Sequence, residues 1–196
     1  MASIISCQTL CKRWGTLTEY RFTYDRRDGS KADISREVYD RGQAAAVLLH
    51  DPGNDLVTLV RQFRPPAMVN GNDPFLLEVC AGMLDGDDPE ACVRREALEE
   101  AGVLVKDLRF VSRAYGHPAA VTERLSMYIG TYDSACRVSK GGGLAQEEED
   151  IEVVELGFRD AYEMIAQGDI VDMKTIILLQ ALQLENSRSQ NGPGGR

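Results

Sequence analysis

An α/β fold follows from three features of this sequence. Short β-rich runs bounded by turn residues fill much of its length, one sharply delimited helix lies in the middle, and two further helical stretches come near the end. The 196 residues suit one domain, or one domain plus an appendage. A chain of this size buries roughly 70% of its unfolded surface, so no disulfide or structural metal is needed to hold it together.

The elements follow in order. Leu17 to Asp25 mixes Thr, Tyr and Phe in rough alternation, and Arg26-Arg27-Asp28-Gly29 turns the chain into a second strand toward Val38 and Tyr39. This is an N-terminal β-hairpin, marginal alone and in need of a cover for its apolar face. Ala44 to Leu49 and Leu56 to Phe63 are strands joined by the turn Asp51-Pro-Gly-Asn-Asp55, and Pro65-Pro66 stops the second. Phe75 to Cys80 is a short strand. Pro89 to Ala101 is a helix: Asp88 can cap it, Pro89 suits its first turn, and Gly102 can take the left-handed conformation that ends it. Apolar Cys92, Val93, Ala97 and Ala101 share one side of it. Leu108 to Tyr115 and Arg124 to Tyr132 are strands. Gly141-Gly-Gly143 opens a mobile loop into the acidic run Glu147 to Asp150, and Ile151 to Leu156 is a further strand. Helices are expected at Arg159 to Gln167 and Met173 to Leu184, and a disordered polar tail from Ser187 to Arg196. The domain organisation expected is a β subdomain over 1–42, a main domain over 43–186 and the tail over 187–196.

Charge and cysteine usage bound the function. The 22 basic and 31 acidic residues give a net charge of −9 with no basic patch, which argues against a nucleic-acid partner. No run approaches the ~18 apolar residues of a membrane span, and the first residues lack the positive, apolar pattern of a signal peptide. Cys7, Cys11, Cys80, Cys92 and Cys136 are odd in number and lack metal-ligand spacing, so reduced thiols and a soluble, cytoplasmic protein are expected.

The central helix carries the chemistry. Glu96 and Glu100 are four apart, so their carboxylates share one face, a turn apart. On its own this is also the pattern of a solvated acidic face. The lead-in Ala81-Gly82-Met83-Leu84-Asp85-Gly86-Asp87-Asp88 tips the balance, because carboxylates at i and i+4 with a backbone carbonyl from a tight loop suit Mg²⁺. Arg95 and Glu99 would tie that loop to the helix.

Gly82 through Val103 resembles the Nudix box, G-x5-E-x7-R-E-U-x-E-E-x-G-U with U aliphatic. Gly82, Arg95, Glu96, Glu99, Glu100, Gly102 and Val103 align, and Ala97 fills the first U position. Asp88 stands where the pattern has Glu, and the spacer to Arg95 is one residue short. Further segments, Arg36 to Gly42, Arg61-Gln-Phe-Arg64, Val69-Asn-Gly71, Cys80-Ala-Gly82, Val121-Thr-Glu123, Gly141-Gly-Gly143 and Asp172-Met-Lys174-Thr175, resemble the GDP-mannose pyrophosphatase branch over roughly residues 14 to 184. The resemblance implies a Nudix α/β/α sandwich with a mixed sheet, plus an N-terminal β subdomain exchanged in a homodimer.

It also implies roles. Metal binding falls to the Ala81 carbonyl, Glu96, Glu100 and Glu149, with Mg²⁺ as the ion and Mn²⁺ as a substitute. Glu147 is the implied general base, with Glu148 as its neighbouring alternative, and Arg95, Glu99 and Glu100 complete the catalytic set. Substrate contacts fall to Trp14, Arg36, Glu37, Arg64, Glu123, Glu147 and Lys174. Chemistry agrees for Arg64 and Lys174, a planar fork and a point charge suited to a diphosphate. Trp14 has a face on which a base can stack, but a core or interface Trp is the alternative; for Arg36 and Glu37 the alternative is a cross-strand ion pair, and for the Glu147 to Glu149 run a solvated acidic loop. His117-Pro-Ala-Ala departs from the relatives' Ser-Pro-Gly-Gly, and His117 is read as structural or surface. The implied activity is Mg²⁺-dependent hydrolysis of a nucleotide sugar, GDP-mannose to GMP and mannose 1-phosphate. The alternatives are ADP-ribose hydrolysis, which the Pro118 spacing also fits, and a non-catalytic nucleotide-sugar sensor.

Overall fold

The computed structural model describes residues 1–144, 146 and 148–190. The chain forms two units, Met1–Gln43 with Ala114–Leu125, and Ala44–Arg113 with Ser126 onward.

In the first unit β1 (Ala2–Lys12), β2 (Thr16–Asp25) and β3 (Lys31–Asp40) form an antiparallel sheet in that order. The sequence predicts the β2–β3 hairpin but not β1, which is exposed along its whole length and interrupted by two register shifts. Gly29, at φ 83°, closes the β2–β3 turn, and Arg26 N donates to Ser30 O at 2.7 Å. The segment 114–125, expected in the main domain, fastens to the end of β3: Tyr39 N donates to Ala120 O at 2.8 Å and Thr122 N to Tyr39 O at 3.1 Å.

The second unit is built on a seven-stranded sheet. Its strands are β4 (Ala44–Asp51), β5 (Leu56–Phe63), β6 (Phe75–Glu78), β7 (Cys80–Met83), β8 (Leu108–Tyr115), β9 (Arg124–Thr131) and β10 (Glu152–Gly157). The main path runs β10-β5-β4-β9-β8, with β6 paired to β5 and β7 to β4. The expected strand Phe75 to Cys80 is therefore two, each extending a different neighbour. The sheet is mixed. β4 runs antiparallel to β5 and β7, while along β9 Gly130 lies against Val47 and Tyr132 N bonds His50 O, an ascending, parallel register.

All eight residues of β4 are buried, because both of its faces are covered. Ala45, Val47 and Leu49 pack with Cys92, Val93, Ala97 and Ala101 of α2 (Pro89–Ala101), the apolar side read from the sequence. On the other face His50 meets Phe158 of α3 (Phe158–Gln167), and α4 (Met173–Gln190) also lies against β4. This is the α/β/α sandwich. A one-turn helix α1 (Pro65–Val69) starts at the Pro pair that was read as a stop, since proline also suits a first helical turn. Helix α4 continues through Gln190, so the tail expected from Ser187 is helical in its first four residues; residues 191–196 lie outside the described residues.

Candidate active site

α2 has the predicted boundaries for the predicted reasons. Asp88 Oδ2 accepts from Glu90 N at 3.0 Å, and Gly102 sits at φ 70°. Asp88 therefore caps the helix, which is the work it does at the position where the box pattern has Glu.

The helix turns Glu96 and Glu100 inward, at 8% and 1% exposure. Glu100 Oε2 accepts from Ala81 N at 3.1 Å, which ties the helix to β7. At Gly82 the Glu96 carboxylate fills the space a Cβ would need, so any side chain there would displace that carboxylate. Arg95 pairs with Glu96 at 2.7 Å and Glu99 at 3.2 Å, donates to Met83 O at 3.3 Å and lies 3.8 Å from Asp87. It binds the loop to the helix as the sequence predicts.

Burial, reinforced by the charges of Glu99 and Glu149 and opposed by Arg95, pushes the Glu96 carboxyl up to about 7. Burial and the charge of Glu96 push Glu100 up to about 8. Glu149 is half-buried, its Oε2 accepts from Leu144 N at 2.9 Å, and its charge acts on both helix carboxylates. The structure thus brings Ala81, Glu96, Glu100 and Glu149 to one place. Among the described residues no three His, Cys, Asp or Glu side chains form a finished metal cluster. The donor chemistry nevertheless fits a hard divalent cation: Glu96 and Glu100 are buried carboxylates raised chiefly by that burial, the charge of Glu149 bears on both, and Arg95 pairs with Glu96. Mg²⁺ keeps waters and substrate oxygens and needs no closed protein cage.

Arg64 and Lys174, far apart in sequence, meet on a residue that sequence reasoning missed. Glu78, 2% exposed, accepts from Arg64 Nε at 2.8 Å and Nη2 at 2.7 Å, and from Lys174 Nζ at 2.5 Å. Lys174 also reaches Asp172 at 3.0 Å, and Asp172 accepts from Thr175 N and Oγ1 at 3.0 and 2.6 Å. Thr175 Oγ1 in turn accepts from Val79 N at 2.9 Å. Burial pushes the Glu78 carboxyl up, but the hydrogen bonds and charges of Arg64 and Lys174 outweigh it and hold it below its ordinary value. The available signal was a single acid in the apolar run Phe75-Leu-Leu-Glu78-Val-Cys80.

The remaining candidates lie in the first unit. Trp14 is 78% exposed, which excludes a core role within this chain, and the Arg41 guanidinium stands 3.7 Å from its ring centre. Arg36 Nη1 donates to Ser35 O at 2.7 Å, and Glu37 lies opposite Glu19, so neither makes the cross-strand ion pair considered as an alternative. Glu123 is half-buried and His117 exposed. Glu148 is exposed at φ 57°, and Glu147 lies outside the described residues.

Comparison with known proteins agrees with this geometry. The NUDIX domain model matches residues 40–170, and the N-terminal domain model of the GDP-mannose pyrophosphatase NudK matches residues 2–39. A GDP-mannose pyrophosphatase of Cronobacter sakazakii is 45% identical over 92% of this chain and 94% of its own. One from Klebsiella pneumoniae is 44% identical over 96% and 94%, and one from Escherichia coli is 46% identical over 86% and 89%. Among solved structures, an ADP compounds hydrolase shares the fold, with TM-score 0.70 and 17% identity over 97% of this chain and 96% of its own. With the box carboxylates buried on α2 and both family models matched in succession, the chain belongs to the Nudix family, in its GDP-mannose pyrophosphatase branch.

Proposed function

We propose that this protein hydrolyses the pyrophosphate bond of a nucleotide sugar, GDP-mannose to GMP and mannose 1-phosphate. The observation that carries this reading is the buried Glu96 and Glu100 pair against the Gly82 cradle, supported by relatives that bear that name over most of their length. Ala81 O, Glu96, Glu100 and Glu149 would hold a divalent ion, Mg²⁺ or Mn²⁺ in its place. When bound it screens the charge of the diphosphate and acidifies water. Arg95 and Glu99 keep the loop and the helix carboxylates in register. Arg64, whose Nε and Nη2 are held by Glu78, presents its remaining guanidinium N–H groups and Lys174 its charge to phosphate oxygens, both oriented by Glu78. Glu147 takes the proton of the attacking water as phosphorus–oxygen bond cleavage releases GMP.

Trp14, Arg36, Glu37 and Glu123 are assigned to base and sugar. The N-terminal unit is assigned to a homodimer in which it is exchanged between protomers, and the cytoplasm is the proposed compartment. Among the described residues no helix is long and apolar enough to cross a membrane.

The test is Glu100→Gln, which keeps the shape and removes the charge. Turnover of GDP-mannose should fall by at least ~10²-fold, the scale of lost electrostatic stabilisation. Wild-type turnover at saturating Mg²⁺ overturns the metal assignment. Tight GDP-mannose binding without turnover in the wild type would favour a sensor.

A further inference from the structure

The last turn of every α-helix leaves carbonyls without helical partners. In α2 the carbonyls of Glu99, Glu100 and Ala101 are each taken up by one distant segment. Gly143 N donates to Glu99 O at 3.1 Å, Gly142 N to Glu100 O at 2.9 Å, and Arg137 Nη1 to Ala101 O at 3.4 Å. Val138 N adds a bond to Gly102 O at 2.9 Å. Two of the three glycines expected to loosen the acidic loop, Gly142 and Gly143, are thus bonded to the helix that carries the site.

Each glycine is required for its own reason. Their φ values are 67°, 113° and 79°, all in the region that L side chains avoid. A Cβ at Gly141 would strike Glu100 O, and one at Gly143 would strike the Glu149 side chain. At Gly142 there is room, the nearest atom being Ile151 O at 3.8 Å, but φ 113° lies far from the left-handed helical well near +57°. Immediately beyond, Leu144 N donates to Glu149 Oε2 at 2.9 Å and Ile151 N to Gly142 O at 3.2 Å, which folds the segment back on itself.

We propose that Gly141, Gly142 and Gly143 are positioning residues that clamp the segment carrying Glu149 onto the end of α2, and so hold the third carboxylate of the cation site against Glu96 and Glu100. The backbone groups that receive the clamp belong to Glu99 and Glu100 themselves, so the loop is registered against the residues whose side chains form the site. The proposal rests on the reading of Glu149 as a metal ligand, and the experiment separates the two.

The experiment uses the full chain and Mn²⁺ as probe, its affinity measured by electron paramagnetic resonance for wild type, Gly142→Ala, Glu149→Gln and the double variant. Amide hydrogen exchange of the metal-free protein is measured alongside. Gly142→Ala should weaken Mn²⁺ by ~10-fold or more, the scale of lost support to a ligand. The double variant should bind no more weakly than Glu149→Gln alone, since both changes remove the same ligand. The amides of residues 142 and 143 should be protected in wild type and exposed in Gly142→Ala. Additive losses, or unchanged affinity in Gly142→Ala beside weakened binding in Glu149→Gln, overturn the clamp. Unchanged affinity in Glu149→Gln overturns the ligand reading and the purpose of the clamp with it. If Gly142→Ala does not fold, wild-type exchange still decides, because unprotected amides at 142 and 143 contradict the clamp.

Discussion

The carboxylate of Glu96 occupies the space that a Cβ on residue 82 would need. Strand β7 and helix α2 are therefore in contact at the point where the site is built, with no room for even a methyl group between backbone and carboxylate.

Gly82→Ala should displace Glu96 and cost about 10²-fold in kcat, the scale of an ångström-sized misplacement in an active site. Circular dichroism should show an intact fold, since Arg95 still holds the loop at Met83. Steady-state kinetics on the purified variant checks this, and an unchanged kcat would show that Glu96 is free to move without consequence.

The triad of Arg64, buried Glu78 and Lys174 sets a pH dependence. Glu78 is held below its ordinary value, against an unfolded carboxylate of about 4.3, so its contribution to stability is present above that value and lost as pH falls through the folded one. Glu78→Gln leaves two cations without their shared partner and should cost on the order of 3 kcal/mol at pH 7. The gap between wild type and variant should narrow between pH 5 and pH 3. Urea denaturation at those three pH values measures it; a constant gap would contradict the ionised triad.

α2 was readable to the residue because its signals are local: Asp88, Pro89 and Gly102 each act within a turn of the boundary they set. Most strands of the main sheet were legible from their apolar runs, down to both ends of β5 and β8, while β6 and β7 were read as one strand because no break in the apolar run separates them. β1 was not, because a fully exposed strand carries no alternation to read. Glu78 escaped for a different reason, its partners lying 14 and 96 residues away, where no spacing rule reaches. The glycine run was read as looseness since glycine permits both mobility and fixed positive φ, and only the helix carbonyls opposite it decide between them.

The acidic loop should divide by role. A general base acts on the chemical step, while a metal ligand also changes the metal requirement. Glu147→Gln should lower kcat by ~10²- to 10⁴-fold with little change in the Mg²⁺ concentration for half activity. Glu149→Gln should raise that concentration. Mg²⁺ titrations of initial rate settle it, and if Glu148→Gln is the severely slowed variant the base is one residue further on.

Strand β1 carries Ile4, Ile5 and Leu10 at 61%, 49% and 46% exposure among the described residues, an apolar strand of the kind that a partner covers. Deleting residues 1–42 should abolish both dimerisation and hydrolysis. Light scattering coupled to size-exclusion chromatography, with an assay of the same fractions, tests this. A monomeric and fully active truncation would refute the exchanged dimer.

Substrate choice is the central claim, and kcat/KM measured on GDP-mannose, ADP-ribose, UDP-glucose and NADH with Mg²⁺, products resolved by chromatography, tests it most directly. GDP-mannose should be the preferred substrate, yielding GMP and mannose 1-phosphate, with activity abolished by chelator and restored by Mg²⁺. Preference for ADP-ribose, or turnover undiminished by the chelator, would contradict it.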